Sequence, residues 1–484
     1  MARLPILLAV ATLLVVGGLV DRAVNAPAAA PVAAGAVAAV AAPAAALSSS
    51  WFCGGATSTS GAAPGQVVVA NAGRRAVTAV MNWLPAGSPA TSLVVPAGGR
   101  IVVPEQGTAP WLGAIVDLDG GAASVEQQIS APSGLSASPC ATSGSTQWYF
   151  TTGETLVNAS MGLTLINPYP SDAIADLSFS TDQGLEAPTE FQGLVVPAGS
   201  LLHVDVGSHL RRRRAIATRV NVRSGRVVAW KTEVVTAAPA GAPLITSAAT
   251  AQGAGDPADP VPGVTNLAGA PSAGLSWSWP DGVTGDGFDE RYVILNPGTA
   301  TAQLQLAVGL DQGSAEPFTL SVGPGEVGTV VSSEQARIPA GVGHSAVLRS
   351  LNGVPVVAER AMVAAPPSSA SGRGELLGAG RSYTAWILGG GLADAAHAYW
   401  VVLFNPGTAP ATATISTLGG TALPGLSGLR LAPGARSVIR INDHAATLDQ
   451  ALQVTASQPV EVERDLYGVQ HGVALSLGVP VASG

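Results

Sequence analysis

The sequence predicts an all-β chain: four tandem immunoglobulin-like β-sandwich repeats behind an N-terminal signal or anchor helix and an Ala/Pro linker. Three observations predict it. First, one pattern recurs four times: a tryptophan (Trp51, Trp148, Trp277, Trp386), an asparagine ending a short apolar run (Asn71, Asn167, Asn296, Asn405), and a proline-glycine turn at Pro96, Pro197, Pro324 and Pro433. Self-similarity at a spacing of about 100 residues makes each copy one structural unit. Second, apolar residues alternate inside the copies, as in Ala302, Leu304, Leu306 and Val308 against Thr301, Gln303 and Gln305, the period of a half-buried strand. Third, 59 glycines and 36 prolines interrupt a chain that is 11% charged and 5% aromatic, which favours short strands and tight turns over long helices. A propeller, the competing all-β answer, needs about 45 residues per blade, half the spacing seen here.

The elements follow in order. Residues 1–22 place Arg3 before the apolar run Leu4 to Val20, which reads as an export signal, either cleaved near Val24-Asn25-Ala26 or kept as a membrane anchor. Residues 23–50, rich in alanine and proline, form a semi-extended spacer. Repeat 1 covers 51–140 and repeat 2 covers 141–236. A breaker-rich linker, 237–275, precedes repeat 3 at 276–364. A shorter linker, 365–382, precedes repeat 4 at 383–484. In repeats 2 to 4 an Asn-Pro step ends the strand, because proline cannot donate to a ladder and holds its predecessor extended. Repeat 1 departs most, with Asn71-Ala72 and with Glu126-Gln127 where later copies carry Glu359-Arg360 and Glu463-Arg464; repeat 2 has Trp230-Lys231 there. A terminal repeat lacks one neighbour, which accounts for the departure.

Cys53 and Cys140 bracket repeat 1. Export makes a disulfide between them the expectation, against two unrelated free thiols, and no CxxC spacing points to zinc or redox chemistry.

The stretches "WYFTTGET", "LTLINPYPSDA", "WSWPDGVTGDGFDERYVILNPGTATA" and "VVAERAMV" resemble a family of exported actinobacterial proteins of unknown function. Their units run Trp-aromatic-x-x-Gly, a strand ending Asn-Pro, a Pro-Ala-Gly turn, then Val-Ala-Glu-Arg. The resemblance implies a secreted or membrane-anchored β protein of the cell envelope. It supplies no catalytic residues.

Composition and motifs leave little chemistry. A net charge of -8 gives no global reason for a nucleic-acid partner. The histidines, His203, His209, His344, His397, His444 and His471, fall in no HExxH or HxH spacing, so no metal or cofactor is expected. Gly343-His344-Ser345-Ala346-Val347 lacks the second glycine of a nucleophile elbow. The acidic loop Asp281, Asp286, Asp289 and Glu290 does not fit alternating calcium ligands and reads as a solvated loop. Glu359 and Glu463 sit at the same place in different repeats, too far apart to act as a hydrolytic pair.

One local anomaly stands out. Arg211, Arg212, Arg213, Arg214 and Arg219 fall in a window with little acid nearby. They make either a solvated loop balancing acidic neighbours or an anion-binding patch for wall polymer phosphates or lipid headgroups. Trp83, Trp111, Trp279 and Trp400 do not recur and are the candidates for an exposed sugar platform. The expected function is a non-catalytic envelope scaffold presenting an interaction surface to an envelope polymer, lipid or protein. A carbohydrate-binding or adhesion module is the first alternative. A hydrolase with a site between repeats is the second.

Overall fold

The computed structural model describes residues 39–237, 261–468 and 472–482. The expectation of a signal or anchor over 1–22, most of the 23–50 spacer and residues 238–260 of the longer linker lie outside the described residues. Everything described belongs to one compact unit, Gly35–Gly484. Among the described residues the regular structure is strand, relieved by four three-residue 3-10 turns.

The third segment shows the plan. One antiparallel sheet runs Ser276–Trp279, His344–Ser350, Ala302–Leu310, Phe318–Val322, and a second runs Val327–Val331, Phe288–Leu295, Val357–Ala364, Gly372–Leu377. The two pack in a sandwich-like arrangement. Ala302, Leu304, Leu306 and Val308 are buried in its core, with their alternating neighbours at or near the surface. The first segment repeats this order with Ser49–Ala56, Leu112–Leu118, Val77–Leu84, Thr91–Val95 facing Arg100–Pro104, Gly65–Asn71, Ala123–Ala131, Gly134–Pro139. The second does so with Gln147–Phe150 and Ile216–Ser224 in one sheet and Ala159–Asn167, Val228–Val235 and Gly263–Ala268 in the other. In the fourth, a single long strand, Leu452–Gly468, serves both sheets.

The recurring asparagine is a clamp. Asn296 Nδ2 donates to the carbonyls of Ala300 and Val322, both at 2.8 Å, while its Oδ1 accepts from Gly298 N at 3.0 Å. Asn71 (Arg75, Val95, Gly73), Asn167 (Ser171, Val196, Tyr169) and Asn405 (Ala409, Leu431, Gly407) make the equivalent three bonds. All four side chains are fully buried. Each ties the end of its strand to the following turn and to the strand before the proline-glycine corner. In that corner Gly98, Gly199, Gly325 and Gly434 adopt positive φ, which favours glycine. The recurring tryptophans are core. Trp148, Trp277 and Trp386 donate Nε1 to the carbonyls of Val227, Val356 and Val460, and Trp51 is equally buried.

Two strands lie in stretches that read as connections: Gly263–Ala268 within 237–275 and Gly372–Leu377 within 365–382. Each pairs with the preceding strand of its sheet. These closing strands, with Gly134–Pro139 and Val473–Leu477, pack side by side in a cycle, first against second, second against third, third against fourth, fourth against first. The sandwiches thus close into a ring. Near its ends, Ala41 pairs with Val481 in parallel, with Ala41 N donating to Pro480 O at 2.8 Å.

Candidate functional site

Two polar systems occupy the seams of this ring: a relay of buried ion pairs, and an open cleft between the third and fourth segments. The relay explains the Glu-Arg dipeptide. Adjacent strand residues point to opposite faces, so one dipeptide can reach both neighbouring segments. Glu359 faces the second segment, where Lys231 Nζ lies at 4.0 Å and Thr152 donates from N at 3.2 Å and from Oγ1 at 2.6 Å. Arg360 faces the fourth, its Nη2 at 2.6 Å from Glu463 Oε1. Glu463 also accepts from Asp281 N in the third segment at 3.1 Å. Arg464 in turn reaches Glu126 of the first segment at 2.8 Å. Glu126 also accepts from Gly389 N at 2.6 Å and Gly390 N at 3.1 Å. Each of these glutamates therefore meets a cation and a backbone N–H from the same neighbouring segment. Such bonds offset part of the desolvation that makes isolated buried charges costly.

The seam between the first and second segments lacks both ions. Gln127 stands at the cation position and Trp230 at the glutamate position, and the contact is neutral. Thr232 Oγ1 donates to Gly55 O at 2.6 Å and Asn266 Nδ2 to Gly54 O at 3.1 Å. A Cβ on Gly54 would stand 2.7 Å from Ile166 Cδ1 and 3.0 Å from Trp230 Cδ1, so a larger residue here would displace the Ile166 side chain. The first segment has neighbours on both sides. Its departures from the pattern therefore reflect a chemically different seam rather than a missing neighbour.

The cleft, about 720 Å³, lies where the loop after Ser276–Trp279 meets His397–Phe404 and the end of Leu452–Gly468. Its floor is a pair of carboxyls, Asp281 and Asp465, hydrogen-bonded to each other. Burial would raise Asp281, but Arg436 and Arg360 reverse this and hold it below the usual range. Asp465 is driven well above it by burial, then by Glu463 and Asp281. Arg436 grips Asp281 and also bonds Asp311 at 2.6 and 2.9 Å. On the fourth-segment wall His397 Nδ1 is 2.8 Å from Asp394, and Arg440 stands 5.9 Å from the Trp400 ring centre. Tyr467 meets Phe288 of the third segment edge to face at 6.2 Å. Among the described residues no group of three or more His, Cys, Asp or Glu side chains is arranged to hold a metal ion.

The residues singled out from sequence distribute as follows. Cys53 and Cys140 are joined in a disulfide that ties the first strand of the first segment to the end of its closing strand. The arginines do not converge. Arg213 is held by Glu186 through two bonds, at 2.6 and 3.0 Å, and Arg219 lies 5.9 Å from the Tyr149 ring centre. Arg211, Arg212 and Arg214 are exposed, with Arg214 N bonded to Asp182 at 3.2 Å. Of the non-recurring tryptophans, Trp83 and Trp279 are buried, whereas Trp111 stacks on His203 at 3.7 Å and Trp400 lines the cleft. His344 belongs to a strand and bonds Glu290 at 2.8 Å, with Ser332 on the same carboxyl. The acidic loop is split accordingly: Asp281 enters the cleft, Glu290 is buried, and Asp289 pairs with Arg291 at 2.9 Å. Sequence reasoning passed over Arg436 and Asp465. Nothing in local spacing connects them to Asp281; only the seam does.

A family model described as "Family of unknown function (DUF5719)" matches residues 119–371, a little over half of the chain. The chain belongs to this family. The matched region runs from the last two strands of the first segment up to the residue before the closing strand of the third and so includes Lys231, Glu359 and Arg360. No curated protein matches the chain. Among solved structures, a Thermotoga maritima protein, 1070, is 18% identical over 22% of this chain and 95% of its own, with a TM-score of 0.21. The Anabaena sensory rhodopsin transducer is 24% identical over 17% of this chain and 90% of its own, with a TM-score of 0.16. Likenesses at these scores carry no argument about fold or activity.

Proposed function

We propose that this protein is an exported, non-catalytic scaffold of the cell envelope, built from four tandem β-sandwich units closed into a ring, which holds an interaction surface in fixed geometry. One observation carries the reading. The charged residues that recur along the chain, Lys231, Glu359, Arg360, Glu463, Arg464 and Glu126, meet across the seams rather than at an open site. Such pairing favours a rigid body whose value lies in what it displays. The Cys53–Cys140 disulfide supports an oxidising, extracytoplasmic setting. Arg211 and Arg212 offer exposed side chains to an anionic envelope polymer or headgroup.

Fractionation of producing cells tests this reading. The protein is expected in the envelope or medium with both cysteines oxidised. Serine at Arg211 and Arg212 is expected to weaken cosedimentation with purified envelope at low salt. A cytosolic protein with two free thiols would contradict the proposal.

A further inference from the structure

The cleft between the third and fourth segments includes three residues that do not recur at the equivalent places of the other copies. Asp465 follows the Glu463-Arg464 dipeptide where the other copies carry Gln128, Thr232 and Ala361. Trp400 stands five residues before its asparagine, where the others have Gln66, Gly162 and Arg291. Asp281 stands four after its tryptophan, where the others have Gly55, Thr152 and Gly390. These three residues meet at one cavity of about 720 Å³, and the volume is that of a ligand site, about 300–1,000 Å³.

We infer that this cleft binds a neutral saccharide, with one sugar ring lying against Trp400 and hydroxyls meeting Asp281, Asp465 and Tyr467. Charge decides against an ionic ligand. Asp281 is engaged by Arg436, which also binds Asp311. Asp394 is engaged by His397, and Arg440 lies 3.7 Å from Asp443. An anion or cation entering here would have to displace one of these partners. A polyol would not, because it needs only donors and acceptors. Those are present: Asp465 Oδ1 is buried without a hydrogen-bond partner, and the Tyr467 hydroxyl meets only the Met362 sulfur, at 4.0 Å. The carboxyl oxygens of Asp281 and Asp465, both lining the cleft, are acceptors for hydroxyl donors. Trp400 is half-buried, so part of its ring remains for the apolar face of a sugar.

The inference stands on the cleft alone and does not depend on export or on the scaffold reading. Its test uses the full chain with maltotriose, cellotriose, mannotriose and galactotriose, and with trigalacturonate as the anionic counterpart, by saturation-transfer NMR and calorimetry. At least one neutral trisaccharide is expected to bind more tightly than trigalacturonate. Trp400→Ala is expected to weaken that binding by about tenfold, as truncation of an aromatic anchor does, and Trp400→Phe to retain most of it. Tyr467→Phe, which removes only a hydroxyl, gives a second reading of the same site should Trp400→Ala fold poorly, with an expected loss of about threefold or more. The inference is overturned if no neutral trisaccharide binds, if trigalacturonate binds more tightly, or if both Trp400→Ala and Tyr467→Phe bind as the parent does.

Discussion

Arg464 Nη1, in the last segment, lies 2.8 Å from Glu126 Oε2, in the first, and each side chain is 1% exposed. This contact joins the two ends of the described chain and completes the cycle that Lys231–Glu359 and Arg360–Glu463 begin. Because both groups are buried, the pair itself need not be strongly stabilising, but losing one member strands the other. Glu126→Ala is expected to cost about 3–5 kcal/mol in chemical unfolding. Replacing both residues with apolar side chains of similar size is expected to recover most of that loss. A cost for Glu126→Ala below about 1 kcal/mol, the range of exposed pairs, would mean the contact is solvated.

The asparagine clamps make a separate prediction. Asn296→Ala leaves two carbonyls and one N–H without their partner in a buried corner, a loss on the order of 3 kcal/mol. Asn296→Asp keeps the acceptor for Gly298 N but sets a carboxylate oxygen against the Ala300 and Val322 carbonyls. It is expected to destabilise at least as much as alanine at neutral pH. An aspartate variant as stable as the parent would show that the two donated bonds contribute nothing.

Glu105 supplies a pH prediction. Its carboxyl is buried with neither oxygen hydrogen-bonded, and burial raises its pKa from 4.5 to about 8. The folded state therefore holds this proton more tightly than the unfolded chain. Its contribution to stability is full below the unfolded value and declines as pH rises toward about 8, by up to roughly 4–5 kcal/mol. Glu105→Gln stays neutral, so its advantage over the parent is expected to grow across that window. Glu233 and Glu461, also raised by burial, are present in both proteins and cancel in the comparison. A constant difference between parent and variant from pH 5 to 8 would contradict the assignment.

Much of the fold was legible because its causes are local. Alternation in Ala302–Leu310 places four side chains in a core, and Asn296-Pro297-Gly298 marks a strand end whatever the rest of the chain does. The closing strands Gly263–Ala268 and Gly372–Leu377 read as linker because they carry few large apolar residues. The ring explains why: a Cβ at Gly263 would stand 2.7 Å from Arg373 Cβ, and one at Gly372 would stand 2.9 Å from Val473 N. Backbones that approach so closely select small residues, and small residues imitate a loop. The Glu-Arg dipeptides were visible, but their partners were not, since each ion pair joins different segments. For the same reason the cleft was hidden: Asp281, Arg436 and Asp465 are brought together only by ring closure, and Trp400 was distinguished from Trp83 and Trp279 only by burial.

Small-angle X-ray scattering on the chain from Gly35 onward tests ring closure most directly. A closed, compact body of this length is expected to give a radius of gyration of about 22 Å with a single-humped distance distribution. A markedly larger radius, with the extended tail of sandwiches strung end to end, would contradict it.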